Sequence, residues 1–331
     1  MLAPFSLFRS LVLALLFAAC ATTARAQGGP PFRTDDPETP GNKHWEINFG
    51  WVGDRNPASG QYQIPDFDIN YGLGDRIQLK YELPIAIEEA RPLPATSEDP
   101  AQRGNVLVGL GNSLLGVKWR FYQHHPGDNW FGPTQSIQSQ PAPSPESAAE
   151  PVVDFSISTY PQLSLENPTR SVPRGVVESG PDFLLPLEVN ARVGPIRLDG
   201  EVGYHFGNQA LPQSWIRGLL VGHEFTERTE AYLEIYDQQD ANTIPAGRGV
   251  GQFATGQTKQ RETTIGAGGR QALNKKKSML LMLMGGRSFQ SITPDNGQPS
   301  WIAYVGLQVL LGPEEPITPQ VEQKLPNEDR N

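Results

Sequence analysis

Eleven charged residues of this chain occur at alternate positions within otherwise apolar runs. They are Lys80, Glu82, Lys118, Arg120, Glu188, Arg192, Arg197, Asp199, Glu201, Glu234 and Arg270. A period of two sends successive side chains to opposite faces of a β-sheet, so the charges of each run share one face. Mixed charges on a wet face can select solutes along a passage, or they can neutralise one another as a structural polar layer. Both alternatives require strands that turn this face toward water.

The clearest of these strands lie between Phe67 and Ile85. Residues 67–73 and 77–85 each alternate between apolar and polar side chains, and a short break at 74–76 separates them. This pattern predicts a β-hairpin with one apolar and one polar face. A soluble sandwich would bury the apolar face in a core, whereas a membrane barrel would turn that face to lipid and the polar face to a wet lumen.

Similar runs recur along the chain and amount to about twelve strands, an even number as in single-chain outer-membrane barrels. Short breaks at 74–76, 194–195, 226–228 and 274–277 follow even-numbered strands, and longer connections mostly follow odd-numbered ones. Aromatic residues also lie near the predicted strand ends, as in an aromatic girdle: Trp45, Trp51, Tyr71, Tyr81, Trp119, Tyr204, Phe206, Trp215 and Trp301. We therefore predict an all-β, antiparallel transmembrane outer-membrane β-barrel with short periplasmic turns and longer extracellular loops.

The remaining segments divide the 331 residues around this barrel. Residues 1–26 read as a signal peptide, with a short apolar core and an A-x-A site ending at Ala26, although the residues before Cys20 resemble a lipobox. Cleavage after Ala26 removes two arginines and the only cysteine, leaving a net charge of −11 and no disulfide within the chain. We expect an extended, solvated lead-in at 27–42, a barrel over 43–312 and a disordered tail at 313–331.

A low-complexity insertion at 123–151, rich in Pro, Ser and Gln, interrupts the barrel region. The strand count places this insertion at the periplasmic side, where the other connections are short. Either it is a periplasmic excursion or the strand count slips there.

Three segments carry a resemblance to a known family. The stretch GPPFRTDDPETPGNKHWEINFGW, the turn GLGDRIQLKYELP and the strand GVKWRF resemble the bacterial outer-membrane family labelled with the meta-pathway of phenol degradation. This resemblance implies a transporter-like barrel for small, often aromatic or hydrophobic, compounds, and it supplies no catalytic motif. The insertion at 123–151 and the tail after Leu311 depart from the family's compact pattern.

Motifs for other chemistry are weak. The glycines at 109–111 and 266–269 lack the Lys-Ser/Thr of a P-loop and the spacing of a dinucleotide loop. The five histidines show no metal-ligand spacing, and no basic face suits nucleic acid. We expect no cofactor, no metal and no catalytic residue, although a barrel lipase would not need the absent G-x-S-x-G motif.

The sequence therefore predicts a narrow outer-membrane channel in which the eleven charged residues are candidate selectivity residues of the lumen. Its expected partners are outer-membrane lipid, the barrel-assembly machinery and an unidentified small solute, with no nucleic acid. A non-conducting structural or ligand-binding barrel is the first alternative, because its sequence would look the same, and a lipase-type enzyme is the second.

Overall fold

The computed structural model describes residues 30–56, 59–90, 104–124, 153–207, 213–241, 261–290 and 299–313. The strand segments are β1 Trp45–Arg55, β2 Ser59–Leu73, β3 Ile77–Ala90, β4 Asn105–Leu110, β5 Ser113–His124, β6 Val153–Thr159, β7 Gln162–Leu165, β8 Asp182–Val193, β9 Ile196–His205, β10 Ser214–Thr226, β11 Thr229–Asp240, β12 Arg261–Ala272, β13 Met279–Gln290 and β14 Ser300–Leu311. The described part of the chain contains no helix that is long and apolar enough to cross a membrane.

The strands form one closed antiparallel sheet. Its first and last strands pair from Trp45 opposite Leu311 to Arg55 opposite Trp301, which closes the barrel. Both β4 and β5 pair with β3, and both β6 and β7 pair with β5 and β8, so each of these couples forms one interrupted barrel strand. The fourteen segments therefore make twelve barrel strands, which confirms the predicted fold class.

The interruptions coincide with prolines, which cannot donate a hydrogen bond to the sheet. Pro84 lies between the parts of β3 that pair with β4 and with β5, and its carbonyl accepts the amide of Gly111 at 2.8 Å. Pro161 lies between β6 and β7, and its carbonyl accepts the amide of Val117 at 3.0 Å. Beside this second break the ring of Tyr160 turns inward and is only 1% exposed.

The outer surface of the barrel is apolar. Residues such as Phe49, Leu79, Leu219 and Leu283 are 41%, 42%, 50% and 47% exposed, although a soluble core would bury them. A strand rises by about 3.3 Å per residue, and barrel strands are tilted by about 40° from the barrel axis. Ten residue steps along β14 therefore correspond to an apolar band about 25 Å high. This height and exposure match a lipid-facing surface, so the outward phase of the predicted hairpin is correct.

Aromatic pairs mark both ends of this band. Trp45 packs on Tyr71 with ring centroids 4.6 Å apart at one end, and Tyr204 packs on Trp215 with centroids 4.8 Å apart at the other. Rings at both edges suit the two interfaces of a bilayer, where an amphipathic ring contacts lipid and water together.

The connections differ between the two ends of the barrel. The turns at 74–76 and 194–195 lie at the same end as Trp45 and Leu311. His124 at the end of β5 and Val153 at the start of β6 lie at this same end, so both described flanks of the insertion are at the short-turn end. Its residues 125–152, the signal peptide at 1–26 with its cleavage site, and most of the tail at 313–331 lie outside the described residues.

Some strands are longer than their periodicity indicates. A polar loop is expected between about 53 and 61, yet β1 continues to Arg55 and β2 begins at Ser59. The described residues here are polar or glycine on both faces of the sheet. Alternation disappears there although the hydrogen-bond ladder continues.

Candidate lumenal site

All eleven charged residues predicted to line the lumen lie on the inner face of the barrel. Eight of these residues are at most 7% exposed: Lys118, Arg120, Glu188, Arg197, Asp199, Glu201, Glu234 and Arg270. Lys80, Glu82 and Arg192 are half-buried. The alternation therefore predicted the orientation of every one of these side chains, while their role in selectivity stays a prediction.

The N-terminal segment, residues 30–42, enters this lumen. The expectation of a solvated lead-in is wrong for its central residues, because Thr34 and Asp36 are 0% exposed. The segment is attached at the short-turn end, where the Lys43 amide donates to the Gly72 carbonyl at 2.8 Å. Arg33 lies farther in, and its Nη1 is 3.0 Å from Glu262 Oε1, near the long-loop end of β12. Composition alone suggested solvent exposure, because the charged partners of the segment come from distant strands.

Ion pairs hold the acidic part of the N-terminal segment. Lys118 Nζ lies 2.7 Å from Asp35 Oδ1 and also donates to the backbone carbonyl of Asp36. Arg197 pairs with the Asp36 carboxylate and, at 2.7 Å, with Asp199. Burial acts to raise the pKa of Asp36, but the nearby cations Arg197, Lys118 and Arg270 hold it below its ordinary value of 3.8. The cations of the lumen therefore favour the charged form of the buried Asp36 carboxylate.

Carboxylates on the wall receive the backbone of the same segment. The amide of Thr34 donates to Glu234 Oε1 at 2.6 Å, and the amide of Asp35 donates to Glu201 Oε2 at 3.2 Å. Gly218 provides room for this approach, because a Cβ there would lie 2.4 Å from Thr34 Oγ1. The wall thus contacts both the side chains and the main chain of the segment.

A separate polar ladder covers β1 to β3. Lys80 Nζ lies 2.8 Å from Glu82 and 3.4 Å from Asp68, whose carboxylate also accepts the Asn48 side-chain amide at 3.2 Å. These contacts stay within the wall and do not involve the N-terminal segment. This part of the lumen therefore fits the structural polar layer that the sequence left open.

An apolar niche interrupts the charged lining, and little in the sequence indicates it. Phe32 of the N-terminal segment forms one buried cluster with wall residues of β10, β11, β13 and β14, which we call the Phe32 niche: Leu220, Tyr232, Met282, Met284 and Tyr304. The run 279–284 is apolar on both faces, so its periodicity could not decide which residues face inward. The inward phase of Tyr232 and Tyr304 was the one available signal, and Phe32 carried none.

A small cavity lies at the short-turn end of the lumen. Arg192, Arg197, Glu230 and Tyr232 contribute to its lining. Within the described residues, no group of three or more His, Cys, Asp or Glu side chains could hold a metal ion. The lumen therefore presents paired charges and one apolar niche.

Comparison with solved structures identifies the architecture. The COG4313 outer membrane channel from Pseudomonas putida F1 matches with a TM-score of 0.55 and 11% identity over 83% of this chain and 98% of that one. OccAB4 from Acinetobacter baumannii matches 85% of this chain and 99% of its own at 8% identity, but its TM-score of 0.36 is too low to support an argument. No protein family and no curated protein matches the sequence. The chain has the fold of an outer-membrane β-barrel.

Proposed function

We propose that this protein is an outer-membrane channel for small solutes, closed in this conformation by its own N-terminal segment. The proposal is based on the position of residues 30–42, which fill the lumen without belonging to its wall. Ion pairs and side-chain hydrogen bonds hold the segment beyond its attachment at Lys43. The segment can therefore leave the lumen without breaking any strand pairing.

The size and lining of the barrel support a narrow passage. Eight strands leave room only for side chains and sixteen leave an aqueous channel, so twelve strands are intermediate. Charged residues on the inner face would act on ions, and the Phe32 niche would accept an apolar group. The resemblance to the phenol meta-pathway family supports the same class of small, aromatic or hydrophobic solutes.

The outer membrane is the proposed location. An apolar outer band, aromatic rings at both of its edges and an export signal in the sequence support this location. Membrane fractionation should recover the protein with the outer membrane, and the folded barrel should migrate faster on a gel before boiling than after. A soluble periplasmic product would overturn the proposal.

Planar-bilayer recording tests the channel function. We would compare the full chain with a variant that lacks residues 30–42, after confirming that both are heat-modifiable barrels. The full chain should give small or infrequent current steps, and the deletion should give larger, long-lived steps because the lumen is vacated. A matched control replaces 30–42 by a Gly-Ser segment of equal length, which keeps the tether but removes its anchoring side chains.

Two alternatives give different results in the same assays. A non-conducting structural or ligand-binding barrel would leave both the full chain and the deletion silent, and the filled lumen is the observation that favours it. We propose transport rather than catalysis, because the lumen offers charged residues and an apolar niche to a solute that passes through it. Hydrolysis of short-chain nitrophenyl esters by the purified barrel, abolished by a single serine substitution, would reverse this conclusion.

A further inference from the structure

Arg270 is a buried cation without a hydrogen-bond partner among the described residues. Its side chain lies on the inner face of β12 and is 3% exposed, and its Nε, Nη1 and Nη2 atoms donate no hydrogen bond. The carbon of its guanidinium lies 5.5 Å from the centroid of the Tyr232 ring. A buried charge without hydrogen bonds is strongly destabilising. The unused donors of Arg270 therefore indicate a place for an anionic ligand.

Two other arginines of the lumen form ion pairs. Arg197 binds Asp36 and Asp199, and Arg33 binds Glu262. Glu230 lies opposite Arg270 in the sheet, but its carboxylate accepts the hydroxyl of Tyr232. Glu230 and Asp36 act on Arg270 only through charge at a distance and make no hydrogen bond with it, so its five donors can bind an anion that enters the lumen.

The Phe32 niche adjoins this guanidinium. Met282, which lines the niche, lies directly opposite Arg270 in the pairing of β12 with β13. Tyr232 links the two features, because its ring packs 5.3 Å from the Phe32 ring and also faces Arg270. A molecule with an apolar ring and an anionic group could therefore contact the niche and the guanidinium together.

The present occupant of the niche belongs to the removable segment. Phe32 directly precedes the wall contacts that run from Arg33 to Asp36, so release of all of these contacts would also withdraw its ring. The vacated niche would be lined by aromatic rings and by two methionines, whose flexible thioethers adapt to different ring shapes. The planar fork of a guanidinium matches a carboxylate in two parallel hydrogen bonds.

We propose that Arg270 and the Phe32 niche form a binding site for a monocarboxylate that carries one ring-sized apolar group. The N-terminal segment occupies the niche in competition with this ligand, and Phe32 stands in for its ring. The inference rests on the proposed function, because the ligand must enter the lumen from outside the barrel. The solute is thereby specified by its chemical class, and Arg270 is the residue that recognises its charge.

Methionine-methyl NMR of the full-length mature chain in detergent micelles tests the site with benzoate as the probe. The sequence has four methionines, of which cleavage of the signal removes Met1. Met282 and Met284 report on the niche, whereas Met279 is not in the buried cluster and serves as the internal control. Benzoate should shift the two niche signals and leave Met279 unchanged.

Substitutions separate the ring from the charge. Phe32→Ala should strengthen benzoate binding at least tenfold because the tethered ring is gone, and Phe32→Leu replaces it if the alanine variant is not heat-modifiable. In either background Arg270→Gln should weaken binding at least tenfold and Arg270→Lys less. Arg217→Gln removes an arginine that is paired with Asp237 and half-exposed, and should change binding less than twofold.

Two control ligands complete the test. Benzyl alcohol keeps the ring without the charge, and acetate keeps the charge without the ring, so both should bind at least tenfold more weakly than benzoate. Equal binding of benzoate and either control, or an affinity that Arg270→Gln leaves unchanged, would overturn the site. Current in bilayers without benzoate shifts would reject the site and leave the channel, whereas shifts in a silent barrel would reject the channel and leave the site.

Discussion

Asp36→Asn should open the lumen more often while leaving the barrel intact. The substitution keeps the size of the side chain and removes the charge that pairs with Arg197. Asp36 belongs to the N-terminal segment and to no strand, so the hydrogen-bond ladder of the wall is unaffected. A change in gating would therefore report on the segment alone.

The contacts of Asp36 indicate the size of this effect. Arg197 keeps Asp199 at 2.7 Å after the substitution, so Arg197 is not left without an anionic partner. The loss is then one charge-assisted hydrogen bond, about 2 kcal/mol. This energy corresponds to about a 30-fold shift in the ratio of open to closed channels.

Glu38→Gln is the matched control for Asp36→Asn. Glu38 belongs to the same segment and also faces Arg197, but its Oε2 lies 3.6 Å from Nη1 and its side chain is 21% exposed. A partly solvated pair at this distance contributes less than about 1 kcal/mol, or about fivefold. Single-channel recordings at fixed voltage give both ratios. Equal shifts for the two variants, or no shift for Asp36→Asn, would refute the reasoning.

Four further predictions concern the N-terminal segment, the lumen and the lipid face. Gly218→Val should also favour the open state, because its Cβ would meet Thr34 Oγ1 at 2.4 Å, and unchanged gating in bilayers would contradict this. The lowered pKa of Asp36 means that its charge stabilises the seated segment at neutral pH, and that this contribution is lost as pH falls through that pKa. The difference between wild type and Asp36→Asn should therefore be constant from about pH 7 to pH 5 and decrease only below the ordinary value of 3.8, whereas a difference already lost at about pH 5 would contradict the lowered pKa. Arg197→Glu should shift the reversal potential in a salt gradient toward cations, and an unchanged potential would remove Arg197 from the selectivity residues. Leu219→Arg, on the lipid face at 50% exposure, should destabilise the barrel by about 2–4 kcal/mol in a urea titration, and an unchanged midpoint would place Leu219 outside the bilayer.

The orientation of the wall side chains could be predicted from the sequence alone. Alternation between residues such as Phe67 and Asp68 sets which face each side chain takes, because the side-chain period of a strand is two wherever the strand lies. The same rule placed all eleven charged candidates on the inner face. Periodicity was uninformative where the two faces have the same character. Both faces are apolar at 279–284, and both are polar near Arg55.

The contacts that fill the lumen became apparent only in the folded structure. Asp36 meets Arg197 across 161 residues of sequence, and Thr34 meets Glu234 across 200, so no local pattern relates them. Composition suggested that a Pro- and Gly-rich acidic stretch is solvated, since burying such a carboxylate is unfavourable in isolation. Closure of the barrel brings Lys118 and Arg197 to one point of its interior, and this basic site makes burial of Asp36 favourable.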